Sequence, residues 1–153
     1  MEEIRLATAL DVPGMSDLLS VLFNQETEFS ANGTAQVDGL TAILNSPQVG
    51  HLVVCEIDRV VVGMVNVLYT ISTALGARAA VLEDMIVSPD FRGRGIGRKL
   101  IERVIDQCAK DGCRRITLLT DYDNVSAHRF YERAGFGRSM MVTFRMPIAA
   151  DRF

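Results

Sequence analysis

Leu82-Glu83-Asp84-Met85-Ile86-Val87-Ser88-Pro89-Asp90-Phe91-Arg92-Gly93-Arg94-Gly95-Ile96-Gly97 decides the fold of this chain. A strand runs into the turn signal Ser88-Pro89-Asp90, then into a short basic glycine-rich loop and a strongly periodic helix starting near Gly97. Glycines let a backbone curl tightly and come close to a ligand. A helix N-terminus presents unpaired N–H groups and the positive end of a dipole. Arg92 and Arg94 add full charge, and together these parts make a pyrophosphate cradle.

Three glycine-loop patterns compete for this stretch. A P-loop requires G-x-x-x-x-G-K-[ST]. Here Lys99 is followed by Leu100 and no glycine stands at the required offset, so that reading fails. A dinucleotide fingerprint requires G-x-G-x-x-G inside a βαβ unit. Gly93-x-Gly95-x-Gly97 is one residue short of it. The third pattern, Arg/Gln-x-x-Gly-x-Gly/Ala after a strand, is matched without gaps by residues 92–97.

A second block lies downstream: Asp121-Tyr122-Asp123-Asn124-Val125-Ser126-Ala127-His128-Arg129-Phe130-Tyr131-Glu132-Arg133-Ala134-Gly135-Phe136. Locally, Asn124 is a good N-cap. Ala127, Phe130, Tyr131 and Ala134 recur at helical spacing. Gly135 supplies a left-handed residue that ends the helix, and Phe136 packs back. That account is complete without chemistry, but it leaves unexplained why the block follows the glycine loop by one helix and one strand.

In that order the two blocks resemble the signature of the GNAT-type N-acetyltransferases. The resemblance is strong over residues 81–136, loose over the preceding strands and slight in the N-terminal third. It implies acetyl-CoA as cosubstrate. The coenzyme's pyrophosphate is expected on Arg92, Gly93, Arg94, Gly95, Ile96, Gly97 and Arg98. Its pantetheine arm is expected to pair with the backbone of Met85, Ile86 and Val87. Asn124, Ala127 and Tyr131 complete the implied coenzyme site. In this family the fourth and fifth strands splay apart to admit the pantetheine, which is strand addition by a ligand and depends little on side chains.

The chain has 153 residues, which predicts one domain over 1–153. Nearly half of the residues are hydrophobic and the formal net charge is −3. Neither disorder nor a global attraction to nucleic acid fits that balance. The basic loop is therefore local and suits a small anion. Cys55, Cys108 and Cys113 lack metal-like spacing or a nearby His pair, so no metal is expected and the thiols read as reduced, mostly buried groups of a cytoplasmic protein. The N-terminus lacks a signal peptide's basic start and apolar run. No apolar stretch approaches the roughly 20 residues that cross a bilayer, so no membrane partner is expected.

Periodicity predicts a strand at 3–7, a helix capped by Asp11 with Pro13 in its first turn, and a second helix at 37–45. Residues 51–57 and 60–72 flank Asp58-Arg59 and read as a hairpin. A fourth strand at 79–87, a helix at 97–110 ended by Gly112, a fifth strand at 115–120 and the Asn124 helix follow. Residues 136–137 and 141–148 read as a closing hairpin. A strand–helix–strand crossover makes the fourth and fifth strands parallel, and the short connections make the others antiparallel. The fold class is therefore α+β: one mixed, mostly antiparallel twisted sheet with helices on both faces, its central parallel pair splayed as the resemblance implies.

Acyl transfer to an amine requires a neutral nucleophile, a polarised thioester, donors for the oxyanion and a proton for the departing thiolate. No Cys–His or Ser–His pair suggests a covalent intermediate. Tyr131 matches the family's tyrosine position, and a phenol of pKa ~10 can protonate a thiolate; a packed aromatic is the plain alternative. Glu83 precedes the pantetheine edge, where several family members carry a glutamate, and is the candidate base. Burial between apolar neighbours would raise its pKa toward a working value; binding a cationic amine, or pairing with an arginine, is the alternative. Strand alternation sends Asp84 to the other face, unless a β-bulge reverses the two. A water relay also remains open. His128 lies one turn before Glu132, where a surface ion pair is the commoner role. Arg129 and Arg133 reach either the coenzyme phosphates or solvent, and the oxyanion donor is placed at a backbone N–H near Met85 or Ile86.

The acceptor is expected to be a small primary amine, with Glu26, Glu28 and Asp38 as residues that could attract it. A protein N-terminus or lysine is the second choice. A non-catalytic acetyl-CoA-sensing module would keep residues 92–97 but need neither Glu83 nor Tyr131. Dimers are frequent in the resembled family, so a homodimer stays open.

Overall fold

The computed structural model describes residues 1–26 and 28–150. Five strands form one sheet in the order β1-β2-β3-β4-β5: β1 (Glu2–Leu6), β2 (Gly50–Ile57), β3 (Val60–Ser72), β4 (Ala77–Val87) and β5 (Cys113–Leu118). The first three pairings are antiparallel and β4–β5 is parallel. The helices are α1 (Val12–Gln25), α2 (Gly33–Leu44), α3 (Ile96–Lys110) and α4 (Val125–Arg133).

Alternation along the Val-rich strands divides the core between two faces. Leu52, Val54, Met64 and Ile86 pack under α1 and α2 with Met15, Leu19 and Leu40. Val53, Val65, Val67 and Leu82 pack under α3 with Ile96, Leu100, Ile101 and Val104, and Phe130, Tyr131 and Phe136 join that side. Most of the 3.6-residue stripe of α3 is thus buried, with Ile105 left exposed. Asp58 and Arg59 close the β2–β3 hairpin with φ of 50° and 68°, the left-handed conformations that a tight two-residue turn requires.

Three expectations need correction. Asp11 does not cap α1 with its side chain; its carboxylate accepts from the Thr8 N–H at 2.7 Å and from both Arg5 terminal nitrogens at 2.7 and 2.9 Å. A buried carboxylate bonds the nearest guanidinium in preference to a helix end. Second, α2 begins at Gly33, not near residue 37, because the Asn32 side chain accepts from the Ala35 N–H at 3.1 Å. Third, the closing hairpin is not formed: residues 136–149 contain no strand. A strand exists only through a paired neighbour. Here Arg138 holds the segment to α4, bonding His128 at 3.1 Å, and Arg145 pairs with Glu28 at 3.4 Å and lies over the Phe29 ring. Met140, Met141, Val142, Phe144, Met146 and Ile148 are left exposed.

Of the cysteines, Cys55 and Cys108 are buried and Cys113 is half-buried, all unbridged. No helix among the described residues is long and apolar enough to cross a membrane.

Candidate active site

The parallel ladder supplies the opening. It runs from Arg78–Cys113 to Leu82–Leu118 and stops, whereas β4 continues five residues to Val87. The edge of residues 83–87 that β5 leaves is unpaired, and it includes Met85, Ile86 and Val87.

Beyond Val87 the chain makes a single 3-10 turn at Pro89–Phe91 and enters the glycine loop. Gly93 and Gly95 take φ of 77° and 80°, conformations that cost an L-residue with a Cβ about 1–2 kcal/mol. Alternation of left-handed glycines with Arg94 curls successive N–H groups inward, the geometry of an anion nest. The N–H groups of Gly93, Arg94, Gly95, Ile96, Gly97 and Arg98 have no hydrogen-bond partner among the described residues. Gly95 is the N-cap of α3 and offers no side chain to those donors. The Arg92 side chain is exposed and bonds the Val87 carbonyl at 3.0 Å. Arg94 stacks over Phe91 at 4.8 Å, and Arg98 pairs with Glu102 at 3.1 Å. These guanidiniums line the loop and, among the described residues, no carboxylate pairs with Arg92 or Arg94, a set that fits a diphosphate.

Gly97 has a different reason. A Cβ there would meet the Phe130 ring at 3.1 Å and the Met85 methyl at 3.4 Å. Its absence lets α4 approach the start of α3 beside β4.

The second block folds as its local chemistry dictates. Asn124 caps α4, its side chain accepting from the Ala127 N–H at 3.2 Å. Gly135, at φ 107°, ends the helix and returns the Phe136 N–H to the Tyr131 carbonyl at 3.0 Å. Tyr131 is held edge-on between Phe130 and Phe136 at centroid distances of 5.2 and 5.8 Å. Its hydroxyl points at the Met85 sulfur, 3.7 Å away. Burial, and then the charge of Glu26, push the phenol up to about 12, so it stays protonated.

His128 makes no ion pair with Glu132. Its Nε2 meets the Asp121 carbonyl at 2.8 Å and its Nδ1 faces Arg138 at 3.1 Å. A carbonyl accepts and a guanidinium donates, so Nε2–H gives to Asp121 and Nδ1 accepts from Arg138. It ties α4 to the preceding loop.

The carboxylates differ from the alternation rule. β3 and β4 pair Asn66 with Asp84 and Val67 with Leu82, so Glu83 is a bulged, extra residue. Glu83 is exposed, and the burial expected to tune it is absent. Asp84 instead lies on the α1/α2 face, mostly buried, and burial pushes its carboxyl up despite a hydrogen bond from Asn66 Nδ2 at 2.9 Å. Glu26 caps the end of α1. Burial first, then the charges of Asp84, Asp121, Glu28 and Glu83, raise it to about 7. The negative end of the α1 dipole acts in the same direction. The charges of Glu83, Asp84 and Asp121 thus act on Glu26, and that of Glu26 acts on the Tyr131 phenol. Sequence reading named Glu26 only as an attractor of cations, and missed Asn66, whose signal was a lone amide in the middle of a Val-rich strand. Among the described residues no cluster of His, Cys, Asp or Glu could hold a metal ion.

Residues 17–136 match the acetyltransferase (GNAT) family. The chain belongs to that family. By that membership it is an acyltransferase, with the mixed, splayed sheet of the family. It is 38% identical over 90 residues to an uncharacterized N-acetyltransferase of Methanocaldococcus jannaschii, a match spanning 58% of this chain and 40% of that protein. It is 27% identical over 121 residues to the uncharacterized N-acetyltransferase YhfO of Bacillus subtilis, spanning 77% and 80% of the two chains. An aminoglycoside N-acetyltransferase in complex with coenzyme A superposes with a TM-score of 0.83 at 20% identity, over 97% of this chain and 96% of the other, which is a likeness of fold.

Proposed function

We propose that this GNAT chain transfers the acetyl group of acetyl-CoA to the primary amine of a small molecule, by direct attack within a ternary complex. The observation that carries the reading is the buried, protonated Tyr131 hydroxyl set against the Met85 sulfur beside the unpaired edge of β4, with the charge of Glu26, a carboxyl raised to about 7, acting on that phenol. The free N–H run of the glycine loop fits the diphosphate of the coenzyme, and the unpaired edge of residues 83–87 fits its pantetheine amides.

The chain's own groups then have distinct tasks. Glu26, charged above pH 7, takes a proton from the incoming ammonium directly or through water. Glu83 and Asp121 add negative potential that draws the cation in. Glu83 is the alternative proton acceptor. The freed amine attacks the thioester carbon; a C–N bond forms and the C–S bond breaks. A backbone N–H on the open edge of β4 steadies the oxyanion. Tyr131 gives its proton to the departing thiolate. Holding both reactants in one cleft supplies much of the barrier reduction, about 7–11 kcal/mol in favourable systems.

A panel of small amines, protein N-terminal peptides and lysine peptides, assayed for free thiol released from acetyl-CoA, tests the reading. Release that depends on small amines and falls in Tyr131→Phe supports it. Tight acetyl-CoA binding with no amine-dependent release would replace it with a sensing module.

A further inference from the structure

One cavity of this fold is built around an acceptor that has nothing to accept. Between α1, α2 and the β3–β4 ladder lies a space of about 230 Å³. Leu19, Phe23, Leu40 and Ile43 give it apolar walls, and Asn66 and Asp84 are set into the sheet beneath. Asn66 is 6% exposed. Its Nδ2 is spent on Asp84 Oδ2, and its Oδ1 is buried with no partner among the described residues. The other Asp84 oxygen, Oδ1, also has no hydrogen bond among them. The remaining buried amide of the cavity, Gln36, is satisfied in full, accepting from the Asn32 N–H at 2.8 Å and donating to the Ser16 carbonyl at 2.9 Å and the Ser20 hydroxyl at 3.0 Å.

The two open atoms are therefore both acceptors, one of them on a carboxylate. A buried acceptor such as Asn66 Oδ1 is almost always paired, so the site calls for a hydrogen-bond donor, and the Asp84 carboxylate beside it favours a cationic one. The surroundings agree. At the C-terminal end of α1, the charges that raise Glu26 are those of Asp84, Asp121, Glu28 and Glu83, all negative. Arg145 is occupied with Glu28 and Phe29. Leu19, Phe23, Leu40 and Ile43 line the cavity beside the polar Ser30, Asn32 and Gln36, and the apolar part of the wall suits a short methylene chain.

We propose that the cavity binds the second, non-reacting ammonium of a short aliphatic diamine, whose first nitrogen is the one acetylated. Three ammonium protons match Asn66 Oδ1 and Asp84 Oδ1 and leave one for water. The inference rests on the acetyl-transfer reading for the fate of the first nitrogen, but the subsite can be tested without turnover.

The experiment is calorimetric titration of the full chain, saturated with coenzyme A, with 1,4-diaminobutane and with butylamine. The diamine should bind at least tenfold tighter. In Asn66→Leu and in the nearly isosteric Asp84→Asn that preference should fall below threefold, with coenzyme A binding and the melting curve reporting that each variant is folded. Equal binding of the two amines by the unaltered chain overturns the proposal even if neither variant folds, and so does a preference that survives in both. Thiol release separates the two ideas. Preferential diamine binding without release from any amine removes the catalytic reading and keeps the subsite. Release from monoamines and diamines alike, with no difference in affinity, removes the subsite and keeps the catalysis.

Discussion

The Tyr131 hydroxyl stands 3.7 Å from the Met85 sulfur, so a side chain of α4 reaches the stretch of β4 that has lost its β5 neighbour. An acid at that position is useful only for a group leaving along β4. Tyr131→Phe keeps both edge-on aromatic contacts and removes one proton. We expect kcat to fall on the order of 100-fold, the usual scale of a lost general acid, with acetyl-CoA affinity changed less than twofold. Steady-state kinetics beside calorimetry on the variant checks this.

Glu26 predicts the acid limb of the pH profile. A base must be charged to work, so kcat/KM should climb as pH rises through about 7. Glu26→Gln should lose both the limb and most of the rate. Stability should run the other way. The folded chain holds this proton more tightly than the unfolded one, so the contribution is complete below an ordinary 4.5 and is lost as pH rises through about 7. At pH 8 the melting temperature of Glu26→Gln should exceed that of the unaltered chain, and at pH 4 the two should coincide.

Asp11 supplies the opposite pH dependence. Burial pushes its carboxyl up, but the Arg5 guanidinium and the Thr8 N–H hold it below the ordinary range. Its stabilisation is therefore full above the unfolded value near ~3.9 and disappears as pH falls through the lower folded one. Asp11→Asn strands Arg5, which also bonds Glu56 at 2.8 Å, and should cost about 2 kcal/mol at pH 7. Urea denaturation at pH 7 and at pH 2.5 should show that difference shrinking in acid.

The glycine loop separates conformation from packing. Gly95→Ala places a Cβ at φ 80° with nothing nearby, so its stability cost should stay near ~1 kcal/mol while coenzyme A affinity falls as the nest is distorted. Gly97→Ala drives a methyl against Phe130. It should lower kcat more than coenzyme affinity, because the ring displaced belongs to the helix that aims Tyr131. Parallel calorimetry and kinetics on the two variants distinguish these effects.

What could be read from the chain was what neighbouring residues decide between themselves. The α3 stripe, the Asn124 cap, the Gly112 and Gly135 stops and the Asp58-Arg59 turn are local, and each is in place. Glu83 and Asp84 are different. Which of them turns toward α1 depends on β3, where Asn66 takes Asp84 and Val67 takes Leu82, and a ladder between residues almost twenty apart leaves no mark in either segment alone. Glu26 owes its perturbed proton first to burial and then to four carboxylates, of which Glu83, Asp84 and Asp121 come from distant stretches of chain. Residues 141–148 carry a strand's alternation but find no neighbour, so the pattern alone misled. Asn66 went unread: a lone amide in a Val-rich strand takes its meaning only from the cavity.

Glu83 is surplus to the β3–β4 ladder, and it falls immediately after Leu82, the last residue of β4 joined to β5. The extra twist of a bulge is thus inserted where the two parallel strands part. The gap is wedged open by a count of residues and not by any bulky group. Excising the Glu83 codon would let β4 flatten and β5 zip on past Leu118, shutting the slot by the loss of one residue.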